Sequence, residues 1–104
     1  MENRYLPNPQ AFERMSTQEI RSQFLASGLF QPGSIQLIYT DMDRIIVGGA
    51  APAPKLILPN LKELGTSYFT ERRELGLFNI GGPAKVYING ADYRLETLDC
   101  LYVG

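Results

Sequence analysis

Glu71-Arg72-Arg73-Glu74 is the one charge cluster in the chain, and its residue types suit a specific ligand. A guanidinium fork matches the two oxygens of a carboxylate, so Arg72 and Arg73 are the candidate substrate-binding residues, with a small acidic molecule as their partner. If the stretch is a strand, Glu71 and Arg73 share one face and Arg72 and Glu74 the other. A charged barrel mouth, or a subunit contact closed by internal ion pairs, would use the same residues without a ligand.

Other routes to chemistry are weaker. Gly48-Gly49 and Gly81-Gly82 have the composition of phosphate loops, but neither leads into a helix N-terminus, and both read as turns. Cys100 is the single cysteine and the chain has no histidine to act as its base. Cys100 is therefore expected in the core, and no catalytic residue is assigned. One cysteine and no histidine also give neither a disulfide framework nor a zinc site of the usual Cys/His kinds, so no metal ligand and no cofactor is assigned to this span. Tyr68, Tyr87, Tyr93 and Tyr102 have hydroxyls that could bond a sugar, yet at strand positions they read better as packing residues with a wet tip.

Composition narrows the partners. Ten basic and eleven acidic residues are spread along the 104-residue chain for a net charge of −1, which leaves no basic stripe to follow a phosphate backbone. Nucleic acid is excluded on that ground. No apolar run reaches the roughly 18 residues of a membrane span, and the polar N-terminus has no signal-peptide core. A cytoplasmic protein with no membrane contact is the expectation.

The elements that must position these residues are short. Asn89-Gly90 supplies the two positive φ angles of a type I′ turn, which predicts a hairpin pairing Ile88 with Ala91, Val86 with Tyr93 and Ala84 with Leu95. Its other face carries Tyr87 with Asp92 and Lys85 with Arg94. Ser16 and Glu19 have the spacing of a capping box, so one helix should begin at Thr17 and end near Gly28. Residues 1–15, with Pro7 and Pro9, read as an extended arm. Strands are expected at Ile35–Thr40, Ile45–Val47, Lys55–Leu58, Tyr68–Arg73, Leu75–Ile80 and Cys100–Val103. Gly48 and Gly49 should close one of them, and the prolines at 52 and 54 argue against regular pairing across 50–54. Leu61–Leu64 reads as a helical turn or a loop. The apolar last strand, ending one residue before the chain does, predicts an unpaired edge and a continuation. Many short strands with one early helix argue for a small β-barrel or sandwich of one domain.

Three blocks taken together resemble one family: Asp43-Arg44-Ile45-Ile46-Val47-Gly48-Gly49, then Ser67 to Gly76 with Asn79-Ile80-Gly81-Gly82, then Leu101-Tyr102-Val103-Gly104. They are similar to the N-terminal part of 5-keto-4-deoxyuronate isomerase, the 4-deoxy-L-threo-5-hexosulose-uronate ketol-isomerase of pectin-derived uronate breakdown. Arg21 to Leu25 looks like the family too. The resemblance implies a mainly β fold, a cupin-like (double-stranded β-helix) barrel that is incomplete, with one short N-terminal helix. Residues 16–104 would form the first barrel of a two-barrel subunit, with the rest of that subunit and neighbouring subunits of a homo-hexamer as partners. It implies a metal-dependent isomerase whose zinc lies in the second barrel, held by a His-x-His-x4-Glu segment and a later His. In the first barrel those ligand positions fall on Tyr68, Thr70 and Leu75, none suited to zinc, so the span is expected to be structural. The alternative is a stand-alone cupin-like module that binds a small acidic sugar near Arg72 or Arg73.

Overall fold

The computed structural model describes residues 1–104. Seven short strands lie in three separate sheets of three, two and two strands, and helix is confined to short pieces. The ladders do not close into a barrel, so mainly β is the architecture they establish. The chain divides into two compact units, Met1–Leu58 and Pro59–Gly104.

In the first unit the expected arm has structure of its own. Strand β1 (Glu2–Arg4) runs parallel to β2 (Ser34–Thr40), and helix α1 (Pro9–Phe12) follows. Asn8 caps α1 by accepting a hydrogen bond from the Ala11 amide at 2.8 Å, and Pro9 occupies the first turn, where a missing N–H costs nothing. Arg4 fixes β1 by donating to Glu2 Oε1 at 2.6 Å and to the Leu25 carbonyl at 2.7 Å. Helix α2 (Thr17–Phe24) starts where the capping box places it, with both reciprocal bonds between Ser16 and Glu19 formed. It stops short of Gly28, because Leu25 is already extended; Gly28 takes its positive φ in the following loop. Phe12 of α1 meets Phe24 of α2 edge to face at 5.7 Å, the contact that ties the arm to the helix.

Strand β3 (Ile46–Ala51) pairs antiparallel with β2, and here two expectations fail. Gly48 and Gly49 are not a turn but lie inside the ladder, opposite Leu37 and Gln36, and Ala50 and Ala51 continue it opposite Ile35 and Ser34. Close approach explains the glycines. A Cβ at Gly49 would stand 2.6 Å from the Leu29 carbonyl oxygen, and one at Gly48 would stand 2.6 Å from Leu37 Cδ2. The actual turn is at Asp43 and Arg44, both with positive φ. Lys55–Leu58 forms no strand.

In the second unit a 3-10 turn at Lys62–Leu64 resolves the ambiguity left there, and Gly65 ends it in the left-handed region. Strands β5 (Ala84–Ile88) and β6 (Ala91–Leu95) form the hairpin with every expected pair in register, and Asn89 and Gly90 take φ of 49° and 87°. Lys85 and Arg94, which face each other, are each neutralised by an acid: Asp92 lies 3.4 Å from Lys85 and Glu96 lies 2.6 Å from Arg94. Strands β4 (Leu75–Phe78) and β7 (Cys100–Val103) pair antiparallel, so the last strand is not unpaired on both sides. Asn79 joins the two sheets of this unit: its amide donates to the carbonyls of Gly82, Leu95 and Glu96 at 2.9–3.0 Å, and its backbone bonds Leu98 and Asp99. Gly81-Gly82 is the turn it was expected to be, held by a bond from the Gly81 amide to Asn79 Oδ1.

The core is small. Ile38 is the buried apolar side chain of the first unit, and Phe69 and Leu95 are those of the second. Seventeen large apolar or aromatic side chains are exposed to solvent against these three buried ones. Cys100, expected in the core, is exposed on β7, and Tyr68, Tyr87, Tyr93 and Tyr102 are all exposed rather than packed.

Candidate functional site

The predicted strand at Tyr68–Arg73 is absent; the segment is a run of turns. Aromatic and β-branched residues favour a strand there, but side chains pull the backbone round. Asn60 Nδ2 donates to the carbonyls of Thr66 and Ser67 at 3.0 and 2.9 Å, and Glu71 Oε2 accepts from the Ser67 amide at 2.7 Å. A further bond runs from the Glu71 amide to the Tyr68 carbonyl. These bonds coil the segment about Phe69, which is buried. The alternation of faces expected for 71–74 is lost with the strand. Instead Thr70, Glu71, Arg72, Arg73 and Glu74 all line one shallow depression of about 450 Å³, with Gly104 at its wall.

The charges in this depression do not neutralise one another. Neither Arg72 nor Arg73 makes an ion pair, since the three ion pairs of the chain lie elsewhere. Glu71 is occupied by the Ser67 amide, and Glu74 is a diagonal neighbour of Tyr102 across the β4/β7 ladder. The Glu74 carboxylate, as an acceptor for it, holds the Tyr102 hydroxyl above the usual phenol range, with a smaller contribution from burial. The internal ion-pair network that the sequence allowed is therefore not formed. Arg73 is half-buried and its Cζ lies 5.9 Å from the Phe69 ring centroid, while its Nε is shielded from water and has no acceptor. Arg72 is exposed.

Tyr68 and Thr70 sit in the turns and Leu75 opens β4, and none offers an imidazole, thiolate or carboxylate. No three His, Cys, Asp or Glu side chains come together anywhere, so the residues present do not fit zinc. The Cys100 thiol donates weakly to the Leu98 carbonyl at 3.9 Å and has no base beside it. Phe69 was not singled out from sequence, though it carries a signal, an aromatic just ahead of the charged block and four residues before Arg73. Tyr102 reads from sequence as a packing residue with a wet tip, and its place beside Glu74 becomes visible only once β7 is paired with β4.

Fold and site together define a mainly β chain that offers two unpaired guanidiniums from one depression. No helix is long and apolar enough to cross a membrane. In sequence the chain is similar to the 4-deoxy-L-threo-5-hexosulose-uronate ketol-isomerases. It is 49% identical over 106 residues to that protein of Opitutus terrae, with all of this chain and 39% of the relative covered. Against the ketol-isomerase of Halalkalibacterium halodurans it is 47% identical over 105 residues, and against that of Bacillus subtilis 42% over 105 residues, with all of this chain and 38% of each relative covered. The chain thus spans about two-fifths of the length of the curated relatives it matches. No family model matches it.

Proposed function

We propose that this span is the N-terminal part of a 5-dehydro-4-deoxy-D-glucuronate isomerase, which converts 4-deoxy-L-threo-5-hexosulose uronate to 3-deoxy-D-glycero-2,5-hexodiulosonate, and that its own role is structural. The observation that carries this reading is identity of 42–49% along the whole chain to proteins of that name, at under two-fifths of their length. The reaction moves a hydrogen between adjacent carbons while a carbonyl and a hydroxyl exchange places, and it needs a group that takes and returns a proton. No side chain of this span is placed for that work, and the span does not fit a metal. The chemistry, with zinc as its cofactor, is assigned to a second barrel.

Several features support a span completed by further polypeptide. The two-stranded sheets of the second unit are marginal alone, and the exposed apolar side chains have no cover. On this reading the strands are part of a cupin-like barrel, and the rest of a two-barrel subunit and the other subunits of a hexamer bury these faces. Arg72 and Arg73 are the candidates to meet the carboxylate of the uronate. The working compartment is the cytoplasm, where uronates released from pectin are consumed. Following the substrate by proton NMR tests the reading: a longer protein beginning with these residues should turn it over, and residues 1–104 alone should not. Turnover by the span alone at the rate of the longer protein would refute the structural role, and an inactive longer protein would refute the isomerase.

A further inference from the structure

We propose that Arg73, and not Arg72, is the arm that recognises a carboxylate in the depression, and that Phe69 is the residue that positions it. This deepens the reading above and rests on it. Phe69 is only 8% exposed, so packing fixes its ring, and the Arg73 guanidinium stands over that ring at 5.9 Å, within cation–π range. With one face against the ring, the guanidinium keeps its edge donors free. Arg73 Nε and Thr66 Oγ1 are the buried side-chain polar atoms left without a hydrogen-bond partner, and both belong to this loop. Nε itself has no access to solvent, so it is the terminal nitrogens of the guanidinium, on a residue that lines the depression, that an outside carboxylate can meet.

The neighbouring acids do not fill that role. Glu71 is held by the Ser67 amide at 2.7 Å, and neither Glu71 nor Glu74 forms an ion pair with Arg73. Arg72 is exposed and stands on no ring, so water and side-chain freedom offset most of what it would gain from an anion. The depression is shallow and open to solvent, so an anion reaches its lining of Thr70, Glu71, Arg72, Arg73 and Glu74 directly.

The probe is D-galacturonate, titrated into the longer protein that begins with these residues, with D-galactose and inorganic sulfate in parallel, and read from the proton–nitrogen resonance of Arg73 Nε. Galacturonate should shift that resonance saturably, galactose should not, and sulfate should do so only at higher concentration. Galactose or sulfate matching galacturonate would overturn carboxylate recognition. Arg73→Lys loses the planar fork and should weaken galacturonate by about ten-fold, against less than about two-fold for Arg72→Lys. Phe69→Leu should weaken it and move the Arg73 Nε resonance without ligand, whereas Phe69→Tyr, which keeps the ring, should bind nearly as the native chain does. Unchanged resonances of Asn89 and Gly90 show that a variant still folds; if Phe69→Leu does not, Phe69→Tyr and the two lysine variants decide. Equal losses in the two lysine variants, or a Phe69→Tyr variant that loses binding, would overturn the assignment. If the longer protein isomerises but galacturonate leaves its Arg73 Nε resonance unmoved, this inference fails and the isomerase reading stands.

Discussion

In the hairpin Ala84–Leu95 every cross-strand partner follows from Asn89-Gly90 and a period of two, whereas in the loop Thr66–Glu74 the backbone has no period and is turned by bonds from Asn60 and Glu71. Both regions belong to the same unit, and both contribute one buried apolar side chain, Leu95 and Phe69. The hairpin satisfies its own polar groups, down to an acid for each of Lys85 and Arg94. The loop leaves Thr66 Oγ1 and Arg73 Nε without partners and two guanidiniums without counter-ions. Local rules built the first region completely. In the second, side chains are committed to shaping the backbone, and donors are left over.

The largest effect that would sharpen this contrast is expected from Leu95→Ala, which empties part of the small core beneath the hairpin. About 2 kcal/mol or more of stability should be lost in chemical denaturation, and an unchanged midpoint would show that the core is not where the hairpin is anchored. Gly90→Ala comes next, because Gly90 sits at a φ of 87° that L side chains rarely adopt. A cost of about 1–2 kcal/mol is expected there, with no change in the loop resonances. Glu71→Ala frees the Ser67 amide and should cost only about 0.5–1.5 kcal/mol, but should speed hydrogen exchange across 66–73 while the hairpin stays protected. Faster exchange in both regions would mean that they are one cooperative element, and the contrast would fail.

What could be read in the sequence follows the same division. The hairpin register, the start of α2 at Ser16 and the Gly81-Gly82 turn each depend on residues within a few positions of one another, and each is found as expected. Gly48 and Gly49 were misread because the reason for them, the Leu29 backbone and the Leu37 side chain lying against β3, is distant in sequence. The N-terminal arm was misread in two ways. Asn8-Pro9 carries a legible cap for α1, but β1 is three polar residues whose only reason to be extended is the adjacent edge of β2. At the candidate site the residue types were legible and their shared orientation was not, since it depends on Asn60 and Glu71 replacing a strand with turns. Phe69 under Arg73 is a consequence of that coil.

The smallest expected effect lies in the first unit and tests whether α2 is as self-sufficient as the hairpin. The bond from the Ser16 backbone amide, then that with the Ser16 hydroxyl, hold the Glu19 carboxyl below its ordinary value of 4.5. A carboxyl lowered on folding adds stability that is fully present above the unfolded value and is lost as pH falls through the lower folded one. Helix signal from 17–24 should therefore weaken only at pH values below about 4.5, and Glu19→Gln should flatten that response. A native response that survives Glu19→Gln would place its cause elsewhere.

The central claim is that the working protein covers the apolar faces of both units with polypeptide outside this span. Light scattering of residues 1–104 across a range of concentrations, with a thermal melt of the same samples, tests it most directly. Seventeen exposed large apolar or aromatic side chains against three buried ones predict concentration-dependent association and a broad, weakly cooperative melt. A monomer at every concentration that unfolds in one sharp transition would contradict the account and favour the stand-alone module that binds a small acidic sugar.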